Sequence, residues 1–317
     1  MKLVTLRQEG LDSIGALLGE RVVLLTRAYA GHLASLGIDG PYPLAAAQLP
    51  NDMLAFLRAG ERATVAASRA LEHVQQRTAR GEELRGPRGE RLVVDAREIQ
   101  LLAPIPRPGK ILAVGLNYRD HAEETNLPLP ERPVLFPKYS SCVVGPGASV
   151  LMPKVSEEVD YEVELGVVIG KMAKRVPEAE AMEYVAGYTL VNDVTARDLQ
   201  LRLGGGQWTH GKCLDTFCPM GPALVTRDEV PDPHNLAISL RVNGRLMQNS
   251  NTSNLVFNVP TLISYFSQDI TLEPGDVIST GTPPGVGYIR KPPFFLRKGD
   301  VMVGEIEKVG ILENRMV

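Results

Sequence analysis

From Ile111 to the C-terminus the chain is a succession of short β-branched and apolar runs, cut at close intervals by Gly, Pro, Asp and Asn. The runs are ILAVGLN, VLFPKYS, DYEVELGVVIG, GYTLVND, LAISLRVNG, DVISTG and VMVGEIEKVGIL. Such residues suit a pleated, partly buried surface, and the intervening residues suit turns. Helix-like patterns are few here, the candidates being PEAEAMEYVAG, VTARDLQLRL and NVPTLISYFSQ. A mostly β body is therefore expected over residues 108–317.

The first hundred residues read differently. MKLVTLR and RVVLLTRA are strand-like, whereas Pro43 through Gln76 carries a helix-favouring run interrupted at Pro50. A small α/β domain is expected over residues 1–100, joined to the larger unit through the segment containing Pro104, Pro106 and Pro108. The expected class is thus α+β. A length of 317 residues suits two units, and a hydrophobic fraction of 44% supplies a core.

A formal net charge of −3, without a Lys/Arg block, gives no basic field for a phosphate backbone, so nucleic acid is not an expected partner. The opening MKLVTLRQEGLDSIG turns polar before a signal-type apolar core develops, and no apolar run is long enough to span a bilayer. A cytoplasmic location without membrane partners is the expectation. Cys142, Cys213 and Cys218 do not make a disulfide framework and read as reduced thiols.

Three places carry candidate chemistry. In Asp160-Tyr161-Glu162-Val163-Glu164-Leu165, strand alternation points Glu162 and Glu164 to one side. Two carboxylates so close repel unless protons or a cation separate them, and an all-oxygen site suits Mg²⁺, Mn²⁺ or Ca²⁺. Taken alone, the pair reads first as a solvent-facing strand surface. Asp193, ending the run GYTLV, is placed either to complete a metal site or to cap a helix over VTARDLQ, on which Arg197 and Gln200 would share its face.

His121 and Glu124 follow the strand-like ILAVG three residues apart, so one helical turn lets the carboxylate orient the imidazole as a base. An exposed helix face is the plainer alternative. Lys212, between glycine- and proline-rich turns, is either a solvated loop lysine or a group reaching a substrate carboxylate or oxyanion. Thr280-Gly281-Thr282-Pro283-Pro284-Gly285-Val286-Gly287 reads as a rigid turn whose amides or hydroxyls could hold an anion, without the ending of a nucleotide phosphate loop.

Taken in order, GLNYRDHAEE, DYEVELGVVIGK, VNDVTARDLQ, GKCLDTFCPMGPAL and STGTPPGVG resemble the fumarylacetoacetate hydrolase family over about residues 108 to 317. The KPPFFLRKGD segment and the N-terminal unit look closest to the branch of fumarylacetoacetate hydrolase domain-containing protein 2. The resemblance implies a β-rich catalytic domain in a homodimer. It also implies Mg²⁺ or Mn²⁺ on Glu162, Glu164 and Asp193, a general-base dyad of His121 and Glu124, and Lys212, Arg197, Gln200 and Thr282 around the substrate.

The expected activity is hydrolysis of a C–C bond in a small diketo or oxo-acid, such as an acylpyruvate, through an enolate held by the metal. An oxaloacetate tautomerase or decarboxylase, or a related 2-oxo-acid isomerase, is the alternative. A metal-bound binding protein without turnover is the reading from a different class.

Overall fold

A computed structural model describes residues 1–8, 10–126 and 128–317 of the chain. The N-terminal part contributes strands β1 (Lys2–Gln8), β2 (Leu11–Leu18) and β3 (Arg21–Leu24). Helices α1 (Leu25–Ser35), α2 (Pro41–Gln48), α3 (Met53–Ala59) and α4 (Glu61–Ala79) follow, then β4 (Val93–Asp95) and β5 (Gln100–Leu101). The RVVLLTRA run is only half a strand. It turns helical at Leu25, because Leu25, Ala28, Tyr29 and Leu33 form a buried stripe at helical spacing. The break expected at Pro50 separates α2 from α3, and Asp52 caps α3 by accepting from Ala55 N at 2.8 Å.

The remainder begins with β6 (Ile111–Gly115), α5 (Arg119–Thr125), β7 (Val134–Lys138), β8 (Val143–Val144), β9 (Ser149–Val150) and β10 (Val159–Asp160). It continues with β11 (Val163–Ile169), β12 (Val185–Asn192), β13 (Thr195–Ala196), α6 (Thr209–Lys212) and β14 (Cys218–Thr226). The last elements are β15 (Ala237–Val242), β16 (Arg245–Asn251), α7 (Val259–Ser267), β17 (Val277–Ser279), β18 (Val301–Ile306) and β19 (Gly310–Met316).

Of the three helix candidates, only NVPTLISYFSQ forms an α-helix, capped where Asn258 accepts from Thr261 N at 3.0 Å. PEAEAMEYVAG gives a 3₁₀ segment over Glu178–Tyr184. Val185 already belongs to β12, and the turns left over are too few to sustain an α-helix. VTARDLQLRL is split: Thr195 and Ala196 pair with β10 as strand, and Leu199–Leu203 winds as a π-helix.

One large sheet runs in the order β4-β3-β2-β1-β14-β12-β11-β17-β6-β7, with β5 on β1 and β8 on β14. β1 joins β14 antiparallel, Lys2 opposite Val225 and Leu3 opposite Leu224, so the N-terminal strands lengthen the sheet of the C-terminal part. A second sheet, β16-β15-β18-β19-β9, packs against β11, β12 and β14. All seven residues of β11 are buried, as expected for a strand covered on both faces. Among the described residues no helix is long and apolar enough to cross a membrane.

Candidate active site

Burying a carboxylate in such a strand is costly unless the charge is compensated, which makes Glu164 in β11 the starting point. β11 and β12 pair with Val163 opposite Asn192 and Glu164 opposite Val191. One residue beyond that ladder, Asp193 N donates to Glu162 O at 2.8 Å. The register brings carboxylate oxygens of Glu162, Glu164 and Asp193 within 4.8 Å of one another, all three side chains being buried. The solvent-facing alternative for the Glu162–Glu164 pair is thereby excluded.

Three cations reach the cluster. Lys212 Nζ donates to Glu162 Oε2 at 2.6 Å and to Asp193 Oδ2 at 2.7 Å. Lys138 Nζ donates to Asp193 Oδ1 at 2.6 Å and also to the Lys212 carbonyl. Arg197 Nε donates to Asp160 Oδ2 at 2.8 Å, and Nη2 lies 2.6 Å from Glu162 Oε1 as an ion contact away from the N–H direction. Arg197 Nη1 donates to Gln200 Oε1 at 2.9 Å, and the guanidinium lies over the Tyr288 ring. Arg197 and Gln200 thus do meet each other, through the β13 turn and the π-helix rather than along one α-helix.

Lys138 and Asp160 escaped the sequence reading. A signal for Lys138 existed: in the β7 run Val134-Leu135-Phe136-Pro137-Lys138 it shares the inward face with buried Phe136. A lysine at an inward strand position demands a buried anion, but nothing local says which.

The turn after β17 does hold anions, and they are the protein's own carboxylates. Gly281 N and Ser279 Oγ donate to Glu164 Oε2 at 2.9 and 2.6 Å. Gly285 N donates to Glu124 Oε1 and Oε2 at 3.1 and 3.0 Å, while Gly287 N and Tyr288 N donate to Asp160 at 2.7 and 3.1 Å. Thr282 is engaged internally: its hydroxyl donates to Val163 O at 3.0 Å and accepts from Gln248 Nε2 at 2.8 Å. Successive amides of a Gly-rich turn make an anion-binding concavity, and here one turn organises three acidic side chains.

α5 supplies the dyad. His121 Nδ1 lies 3.2 Å from Glu124 Oε2, at the spacing of one helical turn, and His121 is buried rather than on an exposed face. Nε2 is left without a protein partner among the described residues. Burial pushes Glu124 up, but the His121 contact and the Gly285 amide outweigh it and hold the carboxyl below its ordinary value. An ionised Glu124 fixes which ring nitrogen faces it, which leaves Nε2 as the ring nitrogen turned away from that carboxylate.

Charge balance tests whether a metal suits the cluster. Asp160, Glu162, Glu164 and Asp193 face Lys138, Arg197 and Lys212, one carboxylate more than there are cations. Against burial, Lys212 and Arg197 hold Glu162 down at about 2. Glu164 accepts no hydrogen bond from either: burial first, then Asp193 and Glu162, outweigh the more distant Lys212 charge and push it up to about 8. Tyr118 Oη is also buried without a partner among the described residues, and burial and then Glu164 push that phenol up. An all-oxygen donor set short of one positive charge fits a hard divalent cation held by Glu162, Glu164 and Asp193.

A family model described as fumarylacetoacetate (FAA) hydrolase C-terminal matches residues 110–317. The chain is 49% identical over 269 residues to a Homo sapiens protein named oxaloacetate tautomerase FAHD2A, mitochondrial, covering 85% of this chain and 81% of that one. Fumarylacetoacetate hydrolase from Exiguobacterium antarcticum has 32% identity and a TM-score of 0.76, covering 100% of this chain and 99% of the other. A 5-carboxymethyl-2-hydroxymuconate delta-isomerase from Mycobacterium smegmatis has 30% identity and a TM-score of 0.71, with coverage of 100% and 99%.

Proposed function

The chain belongs to the fumarylacetoacetate hydrolase family, and on that premise we propose that it interconverts the keto and enol forms of oxaloacetate or a closely similar 2-oxo-dicarboxylate. The observation that carries the reading is a hydrogen-bonded His121–Glu124 pair anchored to the same turn as the buried carboxylate cluster. The name of the 49% identical relative supports tautomerisation over C–C hydrolysis, the activity first expected from the sequence.

Tautomerisation moves one proton from C3 of the substrate, passed on to solvent, while another from solvent is delivered to the C2 oxygen, so no water is consumed. His121 Nε2 takes the C3 proton, with Glu124 steadying the ring through Nδ1. Glu162, Glu164 and Asp193 would hold a divalent cation, whose chemistry is to polarise the 2-oxo group and stabilise negative charge on its oxygen. Lys212 adds positive charge on the same side, and its two carboxylate contacts fix its ammonium in place. C–C hydrolysis stands as the second reading because the same dyad could activate water, as the similarity to a fumarylacetoacetate hydrolase suggests.

Enol absorbance of oxaloacetate, with Mg²⁺, Mn²⁺ or EDTA, tests this in the intact chain and in Glu164→Ala and His121→Ala. We expect metal-dependent interconversion, with His121→Ala lowering turnover by about 10² or more. Acetylpyruvate cleavage without an effect on oxaloacetate would give the hydrolase reading instead. Turnover of neither would leave a binding homologue.

A further inference from the structure

Glu124 is held at its far end by a backbone amide, and that amide belongs to a residue with an unusually rigid setting. Gly285 has φ of +101°, and a Cβ there would sit 2.1 Å from Met247 O, so only glycine fits. Its carbonyl accepts from Tyr161 Oη at 3.0 Å and from Arg290 Nε and Nη2 at 3.2 and 2.9 Å. Arg290 Nη2 also donates to Met247 O at 2.5 Å, and Nε lies 3.3 Å from Tyr161 Oη. One half-buried guanidinium thus ties together the turn, β16 and the Tyr161 side chain.

The ties of α5 are uneven. Its start is fixed by Asp120, which accepts from Ser250 Oγ at 2.5 Å and Asn254 Nδ2 at 3.0 Å, and by Arg119 donating to Leu255 O at 2.6 Å. Among the described residues, the second half of the helix makes its only side-chain hydrogen bonds to another element through Glu124 and Gly285. Whatever holds Gly285 therefore holds the dyad end of α5.

We propose that Arg290 is a positioning residue for the His121–Glu124 dyad, acting through Gly285. Its planar fork meets two carbonyls at once, which a lysine's single ammonium on a flexible stem does less well. The proposal rests on the tautomerase reading only where it speaks of turnover; the restraint on α5 is a claim about the helix itself.

The experiment uses the full chain with Mg²⁺ and compares Arg290→Met, Arg290→Lys and Tyr161→Phe with the unaltered protein. Hydrogen exchange of residues 119–126 should quicken in Arg290→Met while the sheet strands keep their protection, with Arg290→Lys and Tyr161→Phe lying between. Turnover of oxaloacetate should fall by about tenfold to a hundredfold in kcat with little change in KM, as expected when a reacting group is misplaced and substrate binding is kept. In a Glu124→Ala background, adding Arg290→Met should change kcat little, because the side chain that meets Gly285 is already gone.

Unchanged exchange in α5, or an equal loss of kcat in both backgrounds, overturns the proposal. If Arg290→Met does not fold, the Arg290→Lys and Tyr161→Phe comparisons carry the same test. If the unaltered chain turns over no oxaloacetate, the tautomerase reading falls while the exchange data still decide whether Arg290 restrains the helix.

Discussion

Asp193 illustrates how a buried charge in this site depends on its partners: its two oxygens meet Lys138 and Lys212, and its backbone amide meets Glu162. Lys138→Met leaves Asp193 with Lys212 alone and the cluster with two more carboxylates than cations, so it should cost about 3–5 kcal/mol of stability, read from urea unfolding. Lys138→Met combined with Asp193→Asn should recover part of that loss, since the stranded charge goes too. Glu164 differs in that, among the described residues, its carboxylate accepts from Ser279 and Gly281 and from no cation. Glu164→Gln should keep the hydrogen bonds from Ser279 and Gly281 while weakening Mn²⁺ binding at least about tenfold in calorimetric titration. An unchanged affinity would remove Glu164 from the metal site.

At the scale of the element, α5 and the turn after β17 act as a pair. The depressed Glu124 carboxyl gives the sign of a pH effect. A group whose folded pKa lies below its unfolded one contributes stability above the unfolded value, near 4.3 for a glutamate, and loses it as pH falls through the folded one. Acidification through and below about pH 4 should therefore loosen α5 before the sheet, seen as early loss of exchange protection in residues 119–126. Glu124→Gln should abolish that pH dependence. The turn was readable from its Gly-Thr-Pro-Pro-Gly sequence as rigid and anion-holding, but the sequence does not show that the anions are Glu124, Glu164 and Asp160.

For the whole molecule, the decisive contact is the β1–β14 pairing, which joins the N-terminal strands to the rest of the large sheet. β1 covers the edge of β14, with Leu3 opposite Leu224. A fragment of residues 108–317 would expose that strand edge and the apolar side chains packed on it, an aggregation-prone arrangement. The fragment should therefore be less soluble than the full chain and unfold at lower urea, measured side by side. Equal solubility and equal midpoint would show that the N-terminal strands contribute nothing to the stability of the sheet.

Local order was legible where the physics is local. The alternating Glu162-Val163-Glu164, the strand end at Asp193 and the one-turn spacing of His121 and Glu124 each follow from backbone periodicity, so the sequence by itself marked these residues as candidates, though not Lys138 or Asp160. It also determined the succession of strands, because β-branched runs and turn residues alternate along the chain. Tertiary structure alone decided the rest. Lys138 lies 55 residues from Asp193 and 74 from the Lys212 carbonyl it binds, and β1 at the N-terminus pairs with β14, Lys2 opposite Val225. Such pairings are chosen by which buried charges and which strand edges remain unsatisfied once the core has closed, and no neighbouring residue carries that information.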